Sequence, residues 1–127
     1  MQYNDILERV QTLAQVDRPG ALKALEATLK TLAERILGNE ASHLAAQLPD
    51  EIGTYLKGHK GENGQHFDLN TFYQRVAQKE GVDGPTAAAH ARAVFVVLQE
   101  AVTPGEFSDV KVNLSDDYQE LFTPTTV

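Results

Sequence analysis

Residues 16–34 read VDRPGALKALEATLKTLAE, and residues 82–100 read VDGPTAAAHARAVFVVLQE. Each opens on Val-Asp and carries Pro two residues after the Asp. Each then runs through a long Ala- and Leu-rich or Val-rich stretch to Glu34 or Glu100. Asp17 and Asp83 are suited to accept from the free amides of a new helix, and Pro19 and Pro85 suit a first turn that has no use for their missing N–H. Both segments are therefore helix starts followed by long helices. In the first, Leu22, Leu25, Leu29, Leu32 and Ile36 fall on one stripe, with Ala21 and Ala33 beside them. In the second the same places hold Ala88, Ala91, Phe95, Leu98 and Val102.

The correspondence extends outward in both directions. Residues 6–56 align without a gap on residues 72–122, a shift of 66 positions that carries Arg9 onto Arg75, Val10 onto Val76, Glu40 onto Glu106, Ser42 onto Ser108, Leu48 onto Leu114 and Asp50 onto Asp116. A period of this kind dictates architecture before any local propensity does. Each unit predicts four helices. In the first they are a helix from about Tyr3 to Val16, the long spine closed by Gly38-Asn39, a short helix from Glu40 to Gln47, and a last one after Pro49 carrying Ile52, Tyr55 and Leu56. In the second, Asp68 caps the first helix and Gly81 ends it. Thr103-Pro104-Gly105 breaks the spine, Glu106 to Asn113 is helical, and Ser115 caps the last helix with Tyr118, Leu121 and Phe122. No segment alternates with period two. The expectation is an all-α, single-domain helical bundle over 1–127, made of two homologous four-helix units with a pseudo-twofold relation. The two spines should lie at its centre, and Phe72, Phe95 and Phe107 should fill the space left by Ala88 and Ala91.

Between the repeats, 57–67 forms a Gly-rich linker, and Thr123 to Val127 has nothing to anchor it. His59, Glu62, His66 and Asp68 have the chemistry of divalent-metal ligands. Their spacing, interrupted by three glycines with no visible scaffold, fits a solvated loop instead, so no metal and no cofactor is expected. His43 and His90 have no nucleophile or orienting carboxylate beside them in sequence and read as solvent-facing or packed. Asp50, Glu51, Asp116 and Asp117 sit at helix starts, where the macrodipole favours acids. Arg9 and Glu34, repeated as Arg75 and Glu100, predict an ion pair that clamps the first two helices within each unit.

Composition narrows the function. The 127 residues are 42% hydrophobic and 23% charged, with 18 acidic against 11 basic side chains and a net charge of −7. That field repels phosphate backbones and anionic lipid, so neither nucleic acid nor membrane is an expected partner. The sequence has no cysteine, which suits a reducing compartment and points to the cytoplasm. Its start, Met1-Gln2-Tyr3-Asn4-Asp5, lacks the basic and apolar regions of a signal peptide.

Thr103-Pro-Gly-Glu-Phe-Ser-Asp-Val-Lys-Val-Asn-Leu and Tyr118-Gln-Glu-Leu-Phe, together with Phe72-Tyr-Gln-Arg-Val, Ala93-Val94 and His43-Leu-Ala-Ala-Gln-Leu-Pro, resemble the bacterial family catalogued as domain of unknown function 2267. The family pattern runs from an L-x-P-G-E turn through a D-V-x-x-x-L-P helix. This chain departs from it at Ser115, where proline is usual. It also reads Tyr55-Leu-Lys-Gly-His where relatives are richer in aromatics around a Gly-Trp pair. The resemblance implies a helical tandem repeat and supplies no catalytic residues. The reading is a non-enzymatic cytoplasmic interaction or scaffold module that binds a protein partner or self-associates as a homodimer. The alternative is a binding protein for a small apolar or carbonyl-bearing molecule, held in a cleft between the repeats and rimmed by Tyr55, His59, His66 and Phe67.

Overall fold

The long helices begin where the Asp-x-Pro signals place them. In the computed structural model, which describes residues 1–58 and 61–122, Asp17 accepts from Gly20 N at 2.8 Å and Asp83 from Thr86 N at 2.9 Å. They open α2 (Arg18–Arg35) and α6 (Gly84–Ala101), each of 18 residues. Ahead of them lie α1 (Tyr3–Ala14) and α5 (Leu69–Glu80), each of 12. After them come α3 (Gly38–Ala46) and α7 (Pro104–Val112), each of 9. The first run closes with α4 (Asp50–Gly53) and a 3₁₀ turn, Thr54–Leu56; the second closes with a 3₁₀ segment, Asp116–Leu121. All regular structure among the described residues is helical, and none of these helices is long and apolar enough to cross a membrane.

The core is the space around α2 and α6. α1 and α5 each pack on both of these helices. On α2 burial goes far past one stripe: Ala24, Ala27, Thr28 and Thr31 are buried along with Leu25, Leu29 and Leu32. The small side chains are what let neighbours close on several faces at once. Around α6 the expected aromatic filling is present as a chain of rings. Phe72 meets Tyr118 at 5.7 Å and Phe95 at 6.1 Å, and Phe122 bridges Phe95 and Phe107. Each such buried ring contributes on the order of 1.5–3 kcal/mol of burial energy.

Four local expectations are corrected. α1 ends at Ala14, because Gln15 takes the left-handed conformation with φ 57°. Gly38 and Asn39 do not close α2; they are the first residues of α3, and Ile36 leaves α2 in an extended conformation. The carbonyls at that end are instead satisfied from the linker. Asn63 Nδ2 donates to Ala33 O at 2.8 Å, Gln65 N to Glu34 O at 2.9 Å and Gly64 N to Ile36 O at 2.8 Å. A helix end needs its last carbonyls bonded but does not dictate by what. Residues 63–65 of the linker are therefore anchored on the end of α2, with Gly64 at φ 72° to turn its amide inward. Ser115 precedes the last segment but makes no cap bond to its backbone; its hydroxyl donates to Asp117. Thr123 to Val127 lie outside the described residues.

Arg35 is buried at 5% exposure, although its counterpart in the repeat is Ala101. Its guanidinium donates to Phe67 O at 3.1 Å and Asn113 O at 3.0 Å and lies over the Tyr118 ring. One side chain thus ties α2, the linker and the end of α7.

Candidate functional site

The described residues among those expected to rim a cleft are dispersed. Tyr55 is half-buried on the 3₁₀ turn. Burial chiefly, then the nearby charges of Glu26 and Tyr3, push its phenol up. Phe67 lies at the far end of α2: its ring is 3.9 Å beneath the Arg75 guanidinium, and its carbonyl accepts from both Arg35 and Tyr118. Glu26 and Arg35 are nine residues apart on one helix, roughly 13 Å along the axis, so Tyr55 and Phe67 serve different places. His66 is exposed, and His59 lies outside the described residues. Asp68, grouped with the linker ligands in sequence, is used as the cap of α5, accepting from Thr71 N at 2.8 Å. Asp117 Oδ2 accepts from Leu69 N at 2.8 Å. Its carboxyl is held below the usual range, first by the Ser115 hydroxyl. These acids fasten helix starts.

The arginine and glutamate pairs form, but not within the units. Arg9 meets Glu100 at 2.6 Å and Arg75 meets Glu34 at 3.1 Å. The connection between α1 and α2 falls at Gln15–Asp17, so an antiparallel partner for Arg9 lies near Lys23, in the first half of α2. Glu34 is roughly 16 Å further along. The other repeat supplies the acid instead.

Between α3 and α7 the contacts are again reciprocal. The Gln47 amide exchanges two bonds with Thr103, at 2.9 Å and 3.3 Å. At the opposite end Leu37 N donates to Asn113 Oδ1 at 3.2 Å. The two helices therefore run antiparallel, and between these ends they bring together Glu40 and Glu106, which the repeat aligned on each other. The pair is buried at 9% and 8% exposure. With Asp109, one turn beyond Glu106, each contributes an oxygen, and the three oxygens lie within 4.8 Å of one another. Oε1 of Glu40 and Oε1 of Glu106 are shut away from solvent with no hydrogen-bond partner. Burial first, and then Glu40 and Asp109, push the Glu106 carboxyl up to about 7. The alignment of residues 6–56 on 72–122 pairs Glu40 with Glu106 but by itself gives the pair no role.

A second group sits between α2 and α5. A cleft of about 530 Å³ is lined by Lys23, Glu26 and Lys30 from α2 and by Gln78, Lys79 and Glu80 from α5. The Glu80 side chain is 2% exposed, and its Oε1 lies 2.7 Å from His90 Nδ1. His90 therefore has the carboxylate neighbour that its sequence context did not reveal. The two residues stand on either side of the α5–α6 turn, and that turn folds them together. Lys79 reaches Thr31 and Glu34, at 3.0 Å and 3.1 Å.

A helical chain whose halves exchange ion pairs, with buried acids on one seam and a charged cleft on another, defines a helix-bundle protein without a familiar catalytic constellation among its described residues. It belongs to the DUF2267 family, described as an uncharacterized conserved protein, whose profile matches residues 3–121. No match is found among curated proteins.

Proposed function

We propose that the chain is a non-enzymatic helical interaction module of the bacterial cytoplasm that self-associates as a homodimer. Its two four-helix units face each other across an approximate twofold axis. Equal lengths of the first three helices in the two runs and the reciprocal pairs Arg9–Glu100 with Arg75–Glu34, and Gln47–Thr103 with Leu37–Asn113, support the two-unit reading. The cytoplasmic address rests on composition, since a core of this size is held without cysteine.

The observation that carries the interaction reading is Leu37 at 57% exposure and Val112 at 80%. Both flank the Leu37–Asn113 bond, so two large apolar side chains stand in solvent at one end of the α3–α7 seam. Isolated exposed apolar residues are ordinary, but neighbours at a junction of elements mark a contact surface. Sedimentation equilibrium on the full chain tests it: the native protein should be dimeric, and L37E/V112E monomeric with unchanged helical content. A native monomer at the highest soluble concentration defeats the reading.

The cleft between α2 and α5 favours a second reading, a small-molecule binder. Its volume suits a ligand site, and its lining of lysine and glutamate side chains points to a charged ligand rather than an apolar one. Native mass spectrometry of protein purified from its source would display such a ligand as excess mass, which K23A/K30A should abolish.

A further inference from the structure

We propose that Glu40, Glu106 and Asp109 form a binding site for a hard divalent cation that pins α3 to α7. Glu40 and Glu106 are each more than nine-tenths buried, and each leaves Oε1 closed to solvent and without a donor among the described residues. A carboxylate oxygen in that state is costly, and two facing each other are more so. No lysine, arginine or histidine is bonded to either of these carboxylates among the described residues. A cation between the helices would satisfy both oxygens at once.

Asp109 supplies the third donor, one helical turn from Glu106, and stands exposed at the mouth. The donor set is oxygen only and open to water on one side, which selects calcium, manganese or magnesium over zinc or copper. Coordination habit then ranks the hard ions. Calcium accepts six to eight oxygens in flexible geometry and suits three carboxylates fixed on two helices, whereas magnesium demands near-ideal octahedral geometry and dehydrates reluctantly. With all three carboxylates ionised, a divalent ion would leave one negative charge in place of three.

The test uses the full chain, stripped of metal with a chelator and dialysed near neutral pH. It is titrated calorimetrically with calcium chloride, then with magnesium chloride, and thermal unfolding is followed in parallel. Expected are one calcium bound with Kd tighter than about 1 mM, weaker magnesium binding, and a higher Tm with calcium. E106Q, which keeps the shape of the side chain, should weaken calcium at least about tenfold, while D50N/E51Q, two exposed acids on α4, should leave it unchanged. D109N alters only an exposed side chain, so it remains informative if E106Q misfolds, and it should weaken calcium several-fold. The proposal is overturned if the native chain binds no calcium at about 10 mM, or if D109N and E106Q both bind as the native chain does. It is overturned equally if D50N/E51Q removes the binding.

Discussion

Arg9 holds Glu100 with two bonds, Nε to Oε1 at 2.9 Å and Nη2 to Oε2 at 2.6 Å, joining α1 to a helix 91 residues later. Arg75 holds Glu34 in return, sharing it with Lys79 and adding a bond to Gln65 at 3.0 Å. The Arg9 pair is about 40% exposed on each side, while Glu34 is 19% exposed. Exposed pairs contribute about 0.2–1 kcal/mol. Double-mutant cycles by urea denaturation should therefore give a larger coupling for Arg75–Glu34 than for Arg9–Glu100, and none for Arg9–Glu34 or Arg75–Glu100.

Glu100 and Asp117 both titrate below the ordinary carboxylate range, Glu100 first through its bond from Arg9 and Asp117 first through Ser115. A depressed acid binds fewer protons folded than unfolded. Its contribution is present above the unfolded pKa and is lost as pH falls through the folded one. Stability should therefore drop on acidification below about pH 4, and R9A should lessen that drop. Urea midpoints across the acid range check it.

Glu106 has the opposite sign. With its carboxyl raised from 4.5 to about 7, the folded chain binds more protons than the unfolded one between those values. Stability therefore falls as pH rises through that window. In metal-free protein, E106Q should flatten this fall and raise Tm at pH about 8 by a few degrees, equivalent to roughly 1 kcal/mol. Differential scanning calorimetry in chelator provides the measurement.

Arg35→Ala should cost about 2–4 kcal/mol, because it strands the carbonyl of Asn113, leaves that of Phe67 with Tyr118 as its remaining donor and empties the space over Tyr118. Arg35→Lys should recover only part of this, since an ammonium cannot reproduce the fork that reaches both carbonyls. Urea unfolding followed by circular dichroism gives both values.

Two glycine replacements should separate by sign. A Cβ on Gly53 would come within 2.8 Å of the Ala45 carbonyl oxygen, whereas one on Gly105 meets nothing within 4 Å. G53A should destabilise by about 1–3 kcal/mol, and G105A should stabilise by roughly 0.4–1 kcal/mol through the unfolded chain. Thermal unfolding of the two variants side by side is enough to decide.

The helices were legible because their signals are local. Asp17, Asp83 and Asp68 cap where they should, Gly81 closes α5 at φ 73°, and the aromatic residues of the second repeat fill its core. What sequence could not place was contact across helices. Arg9 finds Glu100 rather than Glu34 because hairpin register, set by the short turn after α1, carries Glu34 out of reach. His90 finds Glu80 because the next turn does the reverse. Arg35 was invisible for a different reason: a lone arginine in a helix reads as a solvated side chain, and only the carbonyls gathered around it explain its burial. The carboxylates of Glu40 and Glu106 became a site only when α3 and α7 met.

The crossed ion pairs bear on what each half is worth alone. The segment carrying Arg9 and Glu34 has a cation and an anion that do not reach each other, and so does the segment carrying Arg75 and Glu100. Each half is thus an unsaturated reagent for the other, and the linker acts as a tether that turns a bimolecular encounter into a local search at high effective concentration. Cut ahead of Asn63, the two pieces would have to find each other in solution, and the bonds of Asn63, Gly64 and Gln65 to α2 would form or fail together with the ion pairs.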